Sequence, residues 1–345
     1  ALPYSAQDLW NMGVCLDIDR MTKPYIRANF LGEVFGYDTE YAKQHFLNTN
    51  DGYIYYFKDE FDTQVKIQNY FDALLADETK LKAAGLTKEQ AKNLCNGLIY
   101  LHCEVLFVRD QRSPDMLHPR ISIYQSHSFN ELYDDQKQVL MRIYNDYFFR
   151  RHTDFWRESA MRKLPTLINA THMLCCGEDL GMVPACVPDV MHRLQILSLE
   201  IQRMPKDPNV AFAHPANAPY LSVCTTGTHD MNPLRAWWEE DRAVTQRFYN
   251  EQMGWQGEAP REMTPEIAEF IINQHMYSPA MWVILPLQDW LAIDGKIRIP
   301  DQHADRINVP ADPHHFWNYR MHITLEELLQ KDEYNAHVRR LTAVR

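Results

Sequence analysis

In the second half of the chain, short apolar runs alternate with segments whose apolar residues recur at helical spacing. The runs at 173–176, 196–202, 220–225 and 281–287 predict four strands. The segments 187–194, 234–242, 243–253 and 264–276 predict helices between them. The last of these opens on Thr264-Pro265-Glu266, with proline at the first helical position. Residues 301–320 read as a loop, and a closing helix is expected from 325 to the C-terminus. Strands alternating with helices imply a parallel sheet with right-handed crossovers. Four such strands amount to half of an eight-stranded barrel.

The first half follows another pattern. Residues 1–60 carry turn signals, among them Asn50-Asp51-Gly52, and read as irregular. Segments 61–76 and 87–97 read as helices, the second opened by Thr87-Lys88-Glu89-Gln90 as a capping box. Segments 104–108 and 120–124 read as extended, with a loop at 111–115 between them. From 130 to 172, Leu132, Val139, Leu140, Ile143, Tyr147, Phe148 and Phe155 fall at helical spacing with charges between them. Two long helices, broken near Arg151, are expected there. The pattern divides the chain into a mostly helical part, 1–165, and an α/β part, 166–345.

Composition narrows the partners. A net charge of −11 over 345 residues argues against nucleic acid, whose binding needs clustered Lys and Arg. A neutral ligand fits better. Eight Trp, eighteen Tyr and fifteen Phe suit either sugar-ring stacking or a ring-rich core. The seven cysteines are odd in number and lie mostly in apolar runs, which predicts reduced thiols in a cytoplasmic protein. No apolar run is long enough to cross a membrane. Asn169-Ala170-Thr171 matches a glycosylation sequon, without consequence in such a compartment.

Candidate chemistry gathers at the strand ends. The run 173–176 stops at Gly177, followed by Glu178 and Asp179, then Gly181 and Pro184. The run 220–225 stops at Thr226-Gly227-Thr228, followed by His229 and Asp230. In a parallel barrel both carboxylates reach the C-terminal face, where chemistry is placed. Glycosidic cleavage needs two carboxylates in unequal environments, one protonated and one ionised. Alternatively, Glu178 and Asp179 only accept N–H bonds at a helix start, and His229 is a hydrogen-bonded core histidine. Trp237-Trp238 either lines a pocket or packs the next helix. A zinc site built from His172, Cys175 and Cys176, or from His314 and His315, has poor spacing, since adjacent ligands rarely reach one tetrahedral ion.

Five linked motifs resemble the 4-α-glucanotransferases, the amylomaltases or disproportionating enzymes of glycoside hydrolase family 77. They are Glu178-Asp179-Leu180-Gly181-Met182-Val183-Pro184, Thr226-Gly227-Thr228-His229-Asp230, Leu285-Pro286-Leu287-Gln288-Asp289, Arg306-Ile307-Asn308-Val309-Pro310 and Phe316-Trp317-Asn318-Tyr319-Arg320. The stretch from Trp10 to Arg27 resembles the larger plant-cytosolic and bacterial subtype, whose barrel carries a long insertion. The resemblance implies a (β/α)8 TIM-type barrel of which this chain holds strands five to eight, preceded by the helical insertion. It implies a retaining transfer between α-1,4-glucans or maltodextrins without any cofactor or metal. Glu178 matches the acid/base and Asp230 the transition-state stabiliser. His229 matches a residue beside the cleaved bond, and Asp179 and Arg203 are expected to bind substrate. The nucleophile's motif, an arginine two residues before an Asp-His pair, has no counterpart, since no Asp-His dipeptide occurs in these residues. The chain, opening on Ala1-Leu2-Pro3-Tyr4, is therefore expected to be the C-terminal part of such an enzyme, inactive alone and completed by the missing half-barrel or by self-association. A non-catalytic glucan-binding or interaction fragment, or a hydrolase of the same class, would carry the same surface.

Overall fold

The computed structural model describes residues 2–345, which form two compact units dividing between Trp156 and Arg157. In the first unit, the helices Gln64–Leu75 and Lys88–His102 bury Ile67, Phe71, Leu94, Leu98 and Leu101 between them. The Thr87 hydroxyl accepts the Gln90 N–H while the Gln90 side chain accepts the Thr87 N–H, the reciprocal cap its spacing predicts.

The first sixty residues are not irregular. They hold helices Ala6–Asn11, Ile18–Thr22, Ala28–Phe35 and Thr39–Phe46. Ser5 and Asp17 cap the first two. Six short strands, β1 (Tyr4–Ser5), β2 (Ile26–Arg27), β3 (Leu47–Thr49), β4 (Ile54–Phe57), β5 (Phe107–Arg109) and β6 (Met116–Pro119), form two antiparallel sheets ordered β1-β6-β5 and β2-β4-β3. None is long enough to set up a readable period, so apolar residues such as Leu9, Met21 and Leu31 reach the core through many brief elements. The segment 120–124, expected to be extended, is a turn instead. Arg120 donates its N–H to Leu106 O, and Ile123–Gln125 closes as a 3₁₀ turn. The break expected near Arg151 is a π-helical turn, Asp146–Arg151, joining helix Asp134–Asn145 to helix His152–Asn169.

The second unit is α/β. Its strands β7 (Ser198–Ile201), β8 (Ser222–Thr225) and β9 (Trp282–Val283) run parallel in the order β7-β8-β9, with Leu199 opposite Val223 and Cys224 opposite Val283. The expected strand at 173–176 contributes one parallel bridge, Cys176 to Leu197, beside β7. The strand expected at 281–287 is cut short because Pro286 leads into helix Leu287–Leu291. Helices Val187–Arg193, Leu234–Glu240, Arg242–Glu251 and Pro265–Met276 fall where helical spacing predicts them. The closing helix is two, Leu325–Leu329 and Asp332–Thr342. Trp238, Phe248, Ile267, Ala268, Ile271, Ile272 and Leu291 form the core that these helices bury. Among the described residues, no helix is long and apolar enough to cross a membrane.

Candidate active site at the strand ends

Each parallel segment of the second unit hands the chain to a loop at the same edge. Leu197 donates its N–H to Cys175 O at 2.9 Å, and Gly177 donates to Leu197 O at 2.8 Å. This ladder ends at Glu178, whose side chain is exposed. Arg203 follows β7, Thr226 to Asp230 follow β8, and Leu285 to Asp289 follow β9. All four loops leave the C-terminal end of a parallel strand or bridge, where α/β folds collect functional groups.

The two adjacent carboxylates have unlike surroundings. Asp179 is 8% exposed, and both its oxygens are taken. Oδ1 accepts the Leu199 N–H at 3.0 Å, and Oδ2 lies 2.6 Å from Lys206 Nζ. Lys206 also reaches Glu200 Oε1 at 2.6 Å, so one ammonium bridges two carboxylates. Asp179 thus ties the Glu178 loop to β7 while Glu178 itself stays free at the edge.

Arg203 is the next fixed point. Its Nε donates to Thr226 O and its Nη2 to Asn232 O, each at 2.9 Å, and its guanidinium sits 5.1 Å from the Trp237 ring centre. Burial pulls the Arg203 pKa down to about 10, against the opposing pull of Asp289 and Glu240. Trp237 packs partly against the core and Trp238 is wholly inside it. Asp289 is buried at 1% exposure. Its Oδ2 accepts the Thr226 hydroxyl at 2.5 Å, and its Oδ1 accepts the Leu234 N–H at 2.8 Å, at the first turn of helix Leu234–Glu240. Burial raises its pKa, and Arg203 opposes that rise. One buried carboxylate thereby positions both ends of the Thr226–Pro233 loop.

That loop presents His229 and Asp230. The His229 Nε2 lies 3.3 Å from Asp230 Oδ1, and the same oxygen accepts the Asn308 amide at 2.6 Å. The Trp317 ring lies 4.8 Å from the imidazole and is 62% exposed, an open face beside an open carboxylate. Arg203, His229, Gln288 and Asp289 line one small cavity of about 70 Å³, together with the backbone of Gly227. The structure therefore joins Arg203, His229 and Asp230 in one cluster. Glu178 stands at the neighbouring edge, outside the walls of that cavity. Asp289, Asn308 and Trp317 lie inside motifs visible in the sequence, but nothing in those motifs assigned them roles. Lys206 carried no signal at all. Among the described residues, no group of three or more His, Cys, Asp or Glu converges to hold a metal ion.

The profile of the 4-alpha-glucanotransferase family matches residues 45–325. The chain belongs to that family. It is 38% identical over 341 residues to the 4-alpha-glucanotransferase DPE2 of Oryza sativa subsp. japonica, which covers 99% of this chain and 35% of that protein. It is 27% identical over 182 residues to a 4-alpha-glucanotransferase of Chlamydia pneumoniae, covering 52% of this chain and 34% of that one. The chain thus spans about a third of the length of these curated relatives. Two solved structures are similar to it. The amylomaltase of Streptococcus agalactiae in complex with acarbose has a TM-score of 0.38 and 16% identity over 49% of this chain and 31% of that one. The amylomaltase of Corynebacterium glutamicum has a TM-score of 0.40 and 13% identity over 76% and 38%.

Proposed function

We propose that this chain carries the acid/base and the charge-stabilising group of a retaining 4-α-glucanotransferase, and that its second unit is the later half, strands five to eight, of a (β/α)8 barrel. The observation that carries this reading is the common edge. In a chain of this family, Glu178, Arg203, Asp230 and Asp289 each follow a successive parallel segment at its C-terminal end. The part before residue 166 is then the mostly helical insertion.

In this scheme Glu178 gives its proton to the glycosidic oxygen as the bond from that oxygen to the anomeric carbon breaks. A carboxylate from outside these residues takes the anomeric carbon, forming a glycosyl ester. Glu178, now ionised, removes the proton from the incoming sugar hydroxyl as that oxygen displaces the ester. Asp230 faces the positive charge that builds on the ring in both steps, its Oδ1 oriented by the Asn308 amide. His229, beside the exposed Trp317 ring, donates to a hydroxyl of the same sugar. Asp179 and Arg203 serve the substrate from behind. The first holds the Glu178 loop and the second the Thr226 loop, since both oxygens of Asp179 and two nitrogens of Arg203 are engaged by protein. The reaction calls for no cofactor, and a neutral maltodextrin suits the acidic chain better than nucleic acid or a membrane surface. Seven free thiols fit a cytoplasmic setting.

Glu178→Gln and Asp230→Asn, placed in the complete enzyme, test the assignment. Maltotriose disproportionation should fall on the order of a hundred- to ten-thousandfold in the first, since an amide transfers no proton. In the second, turnover should fall more than binding, because the lost charge acts mainly in the transition state. Near-normal glucose release by Glu178→Gln would remove that residue from the mechanism.

A further inference from the structure

The first unit contains a groove that the strand-end chemistry does not use. It lies between helices Ala28–Phe35 and Lys88–His102 and encloses about 600 Å³, a size that suits a small organic ligand. Asn93, Asn96 and Tyr100 fall at i, i+3 and i+7 on Lys88–His102 and so line up along one face. Glu33 and Asp38 stand opposite, on and just after the facing helix. The floor is Gly97. A β-carbon there would lie 2.4 Å from the Phe35 ring, so the two helices meet only because the glycine has no side chain, and the groove stays open above it.

The lining is selective in its chemistry. Glu33, Asn93 and Asn96 keep exposed side chains, while Asp38 accepts the Gln90 amide at 2.9 Å. Two amides offer paired donors and acceptors, and the carboxylates add acceptors, a set that matches neighbouring hydroxyls. Tyr100, 46% exposed, presents a ring at the end of this polar row, backed by Phe30 at 6.0 Å. Phe30 is itself stacked on His127 at 3.8 Å, so the platform is fixed from below. Two carboxylates and no cation among the groove's lining residues repel anions and admit a neutral polyol.

We propose that this groove is a second, non-catalytic site for an oligosaccharide of α-1,4-linked glucose, with Tyr100 stacking on a ring and Asn93 and Asn96 reading its hydroxyls. The choice of sugar rests on the glucanotransferase reading above; the presence of a sugar site does not. The test is calorimetric titration of the 345-residue chain and its variants with maltoheptaose and, separately, cellohexaose. Trp317→Ala, measured in parallel, reports the contribution of the strand-end site. Tyr100→Ala and Asn96→Ala each weaken maltoheptaose binding about fivefold, with unchanged circular dichroism, if the groove is the site. Asn96 lies on an exposed helix face where alanine is well tolerated, so that variant is expected to fold. Binding that neither variant weakens, or no binding of either sugar, overturns the proposal. Cellohexaose bound as tightly as maltoheptaose and equally sensitive to Tyr100→Ala overturns the α-glucan assignment, and so counts against the glucan reading rather than the groove.

Discussion

Gly227 has no room for a side chain. Its β-carbon would fall 2.4 Å from Arg203 Nη2, and Arg203 cannot retreat because Thr226 O and Asn232 O hold it. Gly227→Ala should therefore destabilise the second unit by about 1–3 kcal/mol, the usual cost of overpacking. Urea unfolding of the variant beside the wild type measures it, and an unchanged midpoint would show that Arg203 yields. At this scale the sequence tells only part of the arrangement. Glu178 and Asp179 announce themselves as a carboxylate pair at a strand end, but nothing in the pair says which one turns inward. That follows from Leu199 and Lys206, which lie twenty and more residues later. Asn308 meets Asp230 across 78 positions, a contact no local pattern encodes.

Among elements, legibility follows length and capping. Helix Lys88–His102 carries its cap in four residues, so its start can be read from its own letters, although it runs five residues past the end expected at Gly97. The first sixty residues fold as pieces of two to eight residues, whose pairing rather than periodicity makes them regular. The parallel strands are hard to read for another reason: their hydrogen bonds are non-local, and the last strand is only two residues long. Helix Pro265–Met276 was legible from Thr264-Pro265, but the burial of its His275 was not. That imidazole is fully buried, its Nδ1 donates to Ile271 O at 2.7 Å, and burial pushes its pKa down to about 4. The folded state then binds fewer protons than the unfolded state between pH 4 and the ordinary histidine range near 6.5. Stability from this group is complete above that range and is lost as pH falls through it. The unfolding free energy of wild type minus that of His275→Gln should drop by about 3 kcal/mol from pH 7 to pH 4. A difference that stays flat with pH would mean that His275 titrates normally.

For the whole molecule, the parallel layer leaves two edges. On β9 and just beyond it, Trp282 and Ile284 are 52% and 59% exposed, more than an isolated soluble sheet tolerates without a partner. The chain by itself should associate, either with a second copy or with the half-barrel proposed to precede it. A monodisperse monomer by light scattering, with no dye-accessible apolar surface, would contradict this. The half-barrel proposed above bears on activity as well. In the mechanism proposed above, Glu178 moves a proton and Asp230 answers a developing charge, but a retaining transfer must also hold the glycosyl unit covalently between its two steps. Groups that act as one unit do not contribute in fractions, so two carboxylates of three give no share of the rate. The 345-residue chain incubated with maltotriose should release neither glucose nor longer oligomers above the level of a Glu178→Gln control. If the chain turns over and that control does not, a nucleophile lies within these residues and the strand assignment is wrong.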